Sequence, residues 1–126
     1  MDSLKEVRIM GWIVIALIVG LVVWRMKPAK GVHSITTEQL KARIKEQNVQ
    51  FIDVRSPSEY KGRHIKEFKN IPLNVLSNKM GTLKKDQEVI VICQSGMRSS
   101  NAAGQLKKAG FLNVTNVRGG MNAWQG

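Results

Sequence analysis

A chain of 126 residues with one cysteine and a formal net charge of +11 has room for one domain with a modest core, and a lone cysteine excludes an internal disulfide framework. A single thiol fits a reducing compartment best. The basic excess is spread along the chain without an arginine-rich run, interleaved aromatics or a recognition motif. That argues against nucleic acid and leaves an anionic membrane surface, steering of small anions, or a merely solvated basic surface.

The first element is apolar throughout. Ile9 to Trp24, "IMGWIVIALIVGLVVW", contains no charge or proline and is bounded by Arg8 and Arg25. As a helix it spans roughly 24 Å, a little short of a hydrocarbon core of about 30 Å. Met26 and snorkelling of the two arginines make up the difference, and Trp12 and Trp24 sit near the interfaces. A membrane anchor is the expectation. A cleaved signal peptide lacks its small-residue site, and a core helix apolar on every face is more than so small a domain can cover. Lys5 and Arg8 precede the span, and Arg25, Lys27 and Lys30 follow it. That bias orients the C-terminal domain towards the cytoplasm, with a short translocated tail. The chain divides into a tail over 1–8, a transmembrane helix over 9–25, a linker over 26–33 containing "KPAKG", and a domain over 34–126.

Within the domain, Thr36 and Gln39 form a capping box ahead of a helix bearing Leu40 and Ile44. "VQFIDVR", Val49 to Arg55, reads as a buried strand. Ser56-Pro57-Ser58-Glu59 starts another helix, with a serine cap, proline first and glutamate third. Asn70 to Leu73 reads as a brief strand and Leu76 to Leu83 as a short helix. "EVIVIC", Glu88 to Cys93, is a continuous apolar strand of the buried type. A helix from Arg98 or Ser99 to Ala109 follows, closed by Gly110. Asn113 to Val117 is a further strand, and Gly119-Gly120 turn the chain into a last helix with Met121 and Trp124. Alternating strands and helices predict an α/β fold with a mainly parallel sheet covered on both faces. Its crevice lies beyond the carboxyl ends of the strands, where Cys93, Asp53 and Arg55 fall.

"CQSGMRS", Cys93 to Ser99, joins the most apolar strand to a helix. A cysteine there is in general a small buried hydrophobe. Gly96, however, permits a tight turn whose N–H groups form an anion-binding nest. The helix start adds unpaired donors, and Arg98 adds a full charge. Together they favour a thiolate.

At this point the chain resembles the rhodanese family over Ser34 to Trp124. "FIDVRSPSEY" is similar to D-V-R-x-x-x-E-Y. "HI" at His64-Ile65 and "NIPL" at Asn70 to Leu73 are similar to the family's G-H-I and I-N-I-P-L. "CQSGMRSSNAAGQL" is similar to C-x-x-G-x-R-S and its helix, and "GFLNVTNVRGGMNAW" to the terminal G-F-x-x-V-x-x-L-x-G-G-x-x-x-W. Arg63 replaces the glycine before the histidine, Lys66-Glu67-Phe68 replace P-G-A, and Arg118 precedes the glycine pair. These departures touch loop shape and partner contacts.

The resemblance implies a rhodanese-like parallel sheet flanked by helices and a sulfurtransferase. Cys93 would take a sulfane sulfur from thiosulfate or a similar small anionic donor as a persulfide. Backbone groups of Gln94, Ser95, Gly96, Met97, Arg98 and Ser99 would cradle it, and Asp53 and Arg55 would support the loop. With no second cysteine, the acceptor is an external thiol or a protein. No metal or cofactor is implied, and His33 and His64 read as structural or surface residues. Related folds host cysteine phosphatases, but those have C-x-x-x-x-x-R, one residue longer than Cys93 to Arg98. The remaining rival is a non-catalytic, membrane-tethered binding module.

Overall fold

The computed structural model describes residues 2–26 and 31–126. Helix α1, Asp2–Met26, has its described side chains exposed, and Ser3–Val23 is long and apolar enough to cross a membrane. The linker residues 27–30 and the side chains of Trp24, Arg25 and Met26 lie outside the described residues.

Five strands follow: β1 Val32–Ile35, β2 Val49–Asp53, β3 Lys69–Asn70, β4 Glu88–Ile92 and β5 Val114–Val117. They form one sheet in the order β1-β5-β4-β2-β3, every pair parallel. The helices are α2 Thr37–Arg43, α3 Pro57–Gly62, α4 Leu76–Lys79, α5 Met97–Lys108 and α6 Gly120–Ala123. This is the expected α/β architecture.

The pleat of β4 explains its unbroken apolar run. Val89, Val91 and the following Cys93 face one cluster, with Ala102, Ala103 and Leu106 of α5 and with Leu76 and Phe111. Ile90 and Ile92 face the other, with Leu40, Phe51, Ile65, Phe68 and Met121. Alternate side chains of a strand point to opposite faces, so a strand covered on both sides must be apolar at every position. Both clusters lie within the domain, which closes its core without α1.

Both capping boxes form. Thr36 Oγ1 accepts from Gln39 N–H at 3.1 Å and Thr36 N–H donates back to Gln39 at 2.8 Å. Ser56 and Glu59 do the same, with Pro57 in the first turn.

Several boundaries differ from the sequence reading. The sheet already includes Val32 and His33, assigned above to the linker. β2 stops at Asp53; Val54 N–H still donates to Ile92 O and Val54 O accepts from Leu73 N–H, both at 3.0 Å, and the chain turns away at Arg55, whose N–H donates back to the Asp53 carboxylate at 3.0 Å. β3 is Lys69–Asn70 at the sheet edge; Ile71 N–H still donates to Asp53 O at 2.9 Å and Leu73 N–H to Val54 O at 3.0 Å, so the N–H that Pro72 lacks is one that would face away from β2. The segment read as a helix over 76–83 is a single α-turn between 3₁₀ turns at Leu73–Val75 and Met80–Thr82. β4 ends at Ile92, leaving Cys93 as the first residue of the loop.

Candidate active site

The site lies where β4 gives way to α5. Gly96, at φ +103°, is the N-cap residue of α5, a left-handed conformation that costs glycine nothing. That turn brings Gly96 N–H to 3.0 Å from Cys93 Sγ. Three residues further on, in the first turn of α5, Ser99 Oγ lies 3.3 Å from the same sulfur. Cys93 and Ser99 are both wholly buried.

Burial pushes the Cys93 thiol up. The Ser99 hydroxyl and the backbone N–H groups of Ser99, Gly96 and Ser95 outweigh it and hold the thiol below its ordinary value. Charge-assisted hydrogen bonds of this kind are roughly twice as strong as neutral ones, and they serve the thiolate only.

The loop is fixed from two sides. From the β2 side, Arg55 forks onto Asp53, with Nη2 2.9 Å from Oδ2 and Nε 3.1 Å from each oxygen. Its Nη1 reaches Gln94 Oε1 at 3.1 Å. From the β5 side, Met121 N–H donates to Cys93 O at 2.8 Å and Asn122 N–H to Gln94 O at 2.9 Å. Gln94 Nε2 donates to Asn122 Oδ1 at 2.6 Å. That approach requires Gly120. A Cβ there would stand 2.3 Å from Cys93 O and 2.8 Å from the carbonyl carbon and oxygen of Gln94.

Arg98 is placed differently from the expectation. Its Nη1 and Nη2 donate to Glu59 Oε1 and Oε2 at 2.7 and 2.8 Å. The pairing with Arg98 holds the Glu59 carboxyl down at about 2, against the burial that opposes it. Arg98 itself is raised first by Glu59 and less by the charge on Cys93. The charge expected to serve the thiolate is thus largely engaged by a carboxylate, and hydrogen bonds do most of the work at sulfur. Arg98 also lines a cleft of about 310 Å³ with Val54, Ser56, Pro72, Leu73 and Asn74.

Ser95 and Met97 lie on the outside of the loop, Met97 80% exposed. His64 is exposed and stacks on Tyr60 with ring centroids 4.0 Å apart. No cluster of metal-ligating side chains occurs among the described residues.

Three contributors escaped the sequence reading. The Ser99 side chain, read only for its backbone N–H, is a donor to sulfur. Asn116 of β5 accepts from the same hydroxyl, Oδ1 to Ser99 Oγ being 2.6 Å. Glu59 was read as a helix-start residue and is also the partner of Arg98. Its signal was available, since Glu59 lies in the "SPSEY" motif, but the pairing spans 39 positions.

Residues 36–126 match the family model described as "Rhodanese-like domain". The chain is 41% identical over 96 residues to "Putative sulfurtransferase YtwF" of Bacillus subtilis, covering 75% of this chain and 92% of that protein. It is 33% identical over 94 residues to a "Sulfurtransferase" of Allochromatium vinosum, covering 74% and 88%. Among solved structures, the rhodanese-like domain protein of Staphylococcus aureus superimposes with a TM-score of 0.68 at 32% identity, covering 73% of this chain and 90% of that one.

Proposed function

This chain belongs to the rhodanese-like family, and from that premise we propose that it transfers sulfane sulfur through a persulfide on Cys93. The observation that carries the reading is the convergence of the Gly96 N–H and the Ser99 hydroxyl on one sulfur atom. They stabilise negative charge at an atom that burial alone would keep neutral.

In the first half-reaction the Cys93 thiolate attacks the sulfane sulfur of a donor such as thiosulfate. The donor's S–S bond breaks and sulfite leaves with the electron pair. The outer persulfide sulfur then takes the place of the thiolate as the acceptor for donors lining the loop, Gln94 to Ser99. In the second half-reaction an acceptor thiolate attacks that outer sulfur and Cys93 leaves as the thiolate. The sequence contains no other cysteine, so the acceptor is a separate thiol or protein and the kinetics are ping-pong. Asp53 and Arg55 act on this chemistry by fixing Gln94. The C-x-x-x-x-R spacing from Cys93 to Arg98 disfavours a phosphatase, which needs a wider loop for phosphate.

The same proposal takes α1 as a single-pass anchor, with residues 1–8 as its tail and the linker leading to a cytoplasmic domain. Intact mass after thiosulfate, and again after cyanide or a thiol, tests the chemistry. One sulfur is gained and then lost in the wild type, and none is gained in Cys93→Ser at unchanged thermal stability. A folded wild-type domain that gains no sulfur would leave the binding-module reading in its place.

A further inference from the structure

In the parallel sheet all strand N-termini lie at one end, opposite the loop of Cys93. Three segments meet there: Gly31 ahead of β1, Lys84-Lys85-Asp86 ahead of β4, and Lys107 to Asn113, from the last turn of α5 to the start of β5. They are in direct contact. Lys107 Nζ donates to Leu112 O at 2.7 Å, and Leu112 N–H donates to Lys85 O at 3.1 Å. A Cβ on Gly110 would lie 3.8 Å from Lys85 Nζ, and one on Gly31 would lie 2.5 Å from Lys107 Cε. Lys84 is held beside them by Gln50, whose side-chain amide bonds both its N–H and its carbonyl at 2.8 Å.

The result is an apolar tip beside lysines. Outside α1, the exposed large apolar side chains among the described residues are Met97, beside the reactive loop, and Leu112, which is 70% exposed. Lys84 and Lys85 are exposed in the segment that contacts Leu112, and Lys108 is exposed at the end of α5. Of the nearby carboxylates, Glu46 and Glu88 share Arg43 and leave one charge unmatched, and Asp86 subtracts another, so two acidic charges stand against Lys84, Lys85, Lys107 and Lys108.

We infer that this end of the domain rests on the anionic headgroups of the bilayer that holds α1, with Leu112 dipping into the interface and the lysines among the phosphates. The inference rests on the anchor reading of α1. Chain length favours the lipid over other acidic partners. Met26 and Gly31 are five residues apart, so at most about 17 Å of chain separates the end of α1 from this face. By sequence, Arg25, Lys27 and Lys30 add charge of the same sign to the stretch that leads from α1 to Gly31. The consequence is orientation: from Glu88 to Cys93 the strand rises about 16 Å, so the reactive loop faces away from the membrane.

The test is flotation of residues 31–126 with vesicles of phosphatidylcholine alone or mixed with phosphatidylglycerol, at low ionic strength. The domain should float with the anionic vesicles only. Each lysine near such a surface is worth roughly fivefold in binding, so Lys85→Gln with Lys108→Gln should lower it about 25-fold. Leu112→Ser should lower it further. The pair Lys61→Gln and Arg118→Gln, exposed on α3 and just after β5 at the other end of the sheet, should leave it unchanged, and Lys107 is left intact because it holds the Leu112 carbonyl. Equal loss in the control pair, or no preference for anionic vesicles, overturns the inference. Retained flotation of the Lys85/Lys108 variant, with loss of binding to polyglutamate, overturns it in favour of an acidic protein. Carbonate extraction of the full chain from membranes tests the anchor separately. An extractable chain whose domain still floats retires the anchor and keeps the face, and an embedded chain whose domain does not float retires the face.

Discussion

Ser99→Ala removes one donor from the sulfur and leaves the backbone donors in place. A hydrogen bond to a charged group contributes about 1.5–3 kcal/mol. Here the hydroxyl is 3.3 Å from Sγ and carries a single proton, which Asn116 draws away at 2.6 Å, so the lower bound applies. About 1.5 kcal/mol shifts the thiolate-to-thiol ratio roughly tenfold towards the thiol. The thiolate that remains is more basic, and with a Brønsted slope of about 0.4–0.5 it is roughly threefold more nucleophilic. The variant should therefore react with iodoacetamide about threefold more slowly where the thiol predominates. Where both proteins are fully ionised it should react about threefold faster. Alkylation followed by intact mass across pH reads both arms, and the two profiles should cross. Profiles that run parallel would refute the assignment of Ser99 as a donor to sulfur, because a merely loosened loop raises reactivity at every pH.

Asn116→Ala should act in the opposite sense, releasing the Ser99 proton to sulfur and speeding alkylation at low pH. An unmoved pH midpoint would show that Asn116 does not compete for that proton. Gly120→Ala places a methyl against backbone atoms of Cys93 and Gln94 at φ +55°. A loss of about 2–3 kcal/mol in urea denaturation is expected, with slowed sulfur transfer, and wild-type behaviour in both would contradict the packing. The Glu59–Arg98 pair governs the acid limb of stability. The folded-state value for Glu59, about 2, lies below its ordinary 4.5. Its contribution is therefore present above about 4.5 and lost as pH falls towards about 2. With the Glu59 side chain a third exposed, screening keeps that contribution under about 1 kcal/mol. Glu59→Gln should flatten this part of the melting temperature against pH, and identical slopes would remove the pair from the account.

What was legible in the sequence was mostly local. The buried run of β4, the two capping boxes and the glycine turn after Cys93 each declare themselves within a few residues. β1 did not. "VHSI" lies at a sheet edge with only its ends half-buried, and its strand character comes from pairing with β5, some 80 positions away. The same separation concealed the electrostatics of the site. Ser99 and Asn116 are 17 positions apart, and Glu59 and Arg98 are 39 apart. Arg98 lay close to the cysteine in sequence and was read as its counter-charge, because nothing local indicated that Glu59 would engage it first. The position of Asp53 and Arg55 at the end of β2 was legible, but the chain's turn at Arg55 engages a side-chain acceptor that no strand pattern registers.

The complete burial of Cys93 makes the loop a sieve as well as a cradle. A thiolate recessed behind its own backbone is reached by slim, mobile electrophiles and is denied to a disulfide flanked by two peptide chains. In the proposed reaction, a sulfur bonded to it would put the reactive atom about 2 Å from Cys93 Sγ along the new bond. On the proposed mechanism, acquisition of sulfur would be restricted by girth and delivery less so: a narrow inlet and a wider outlet at the same atom. A protein acceptor too bulky to touch the resting enzyme would then meet it only after loading, which imposes an order on the two half-reactions without any moving part.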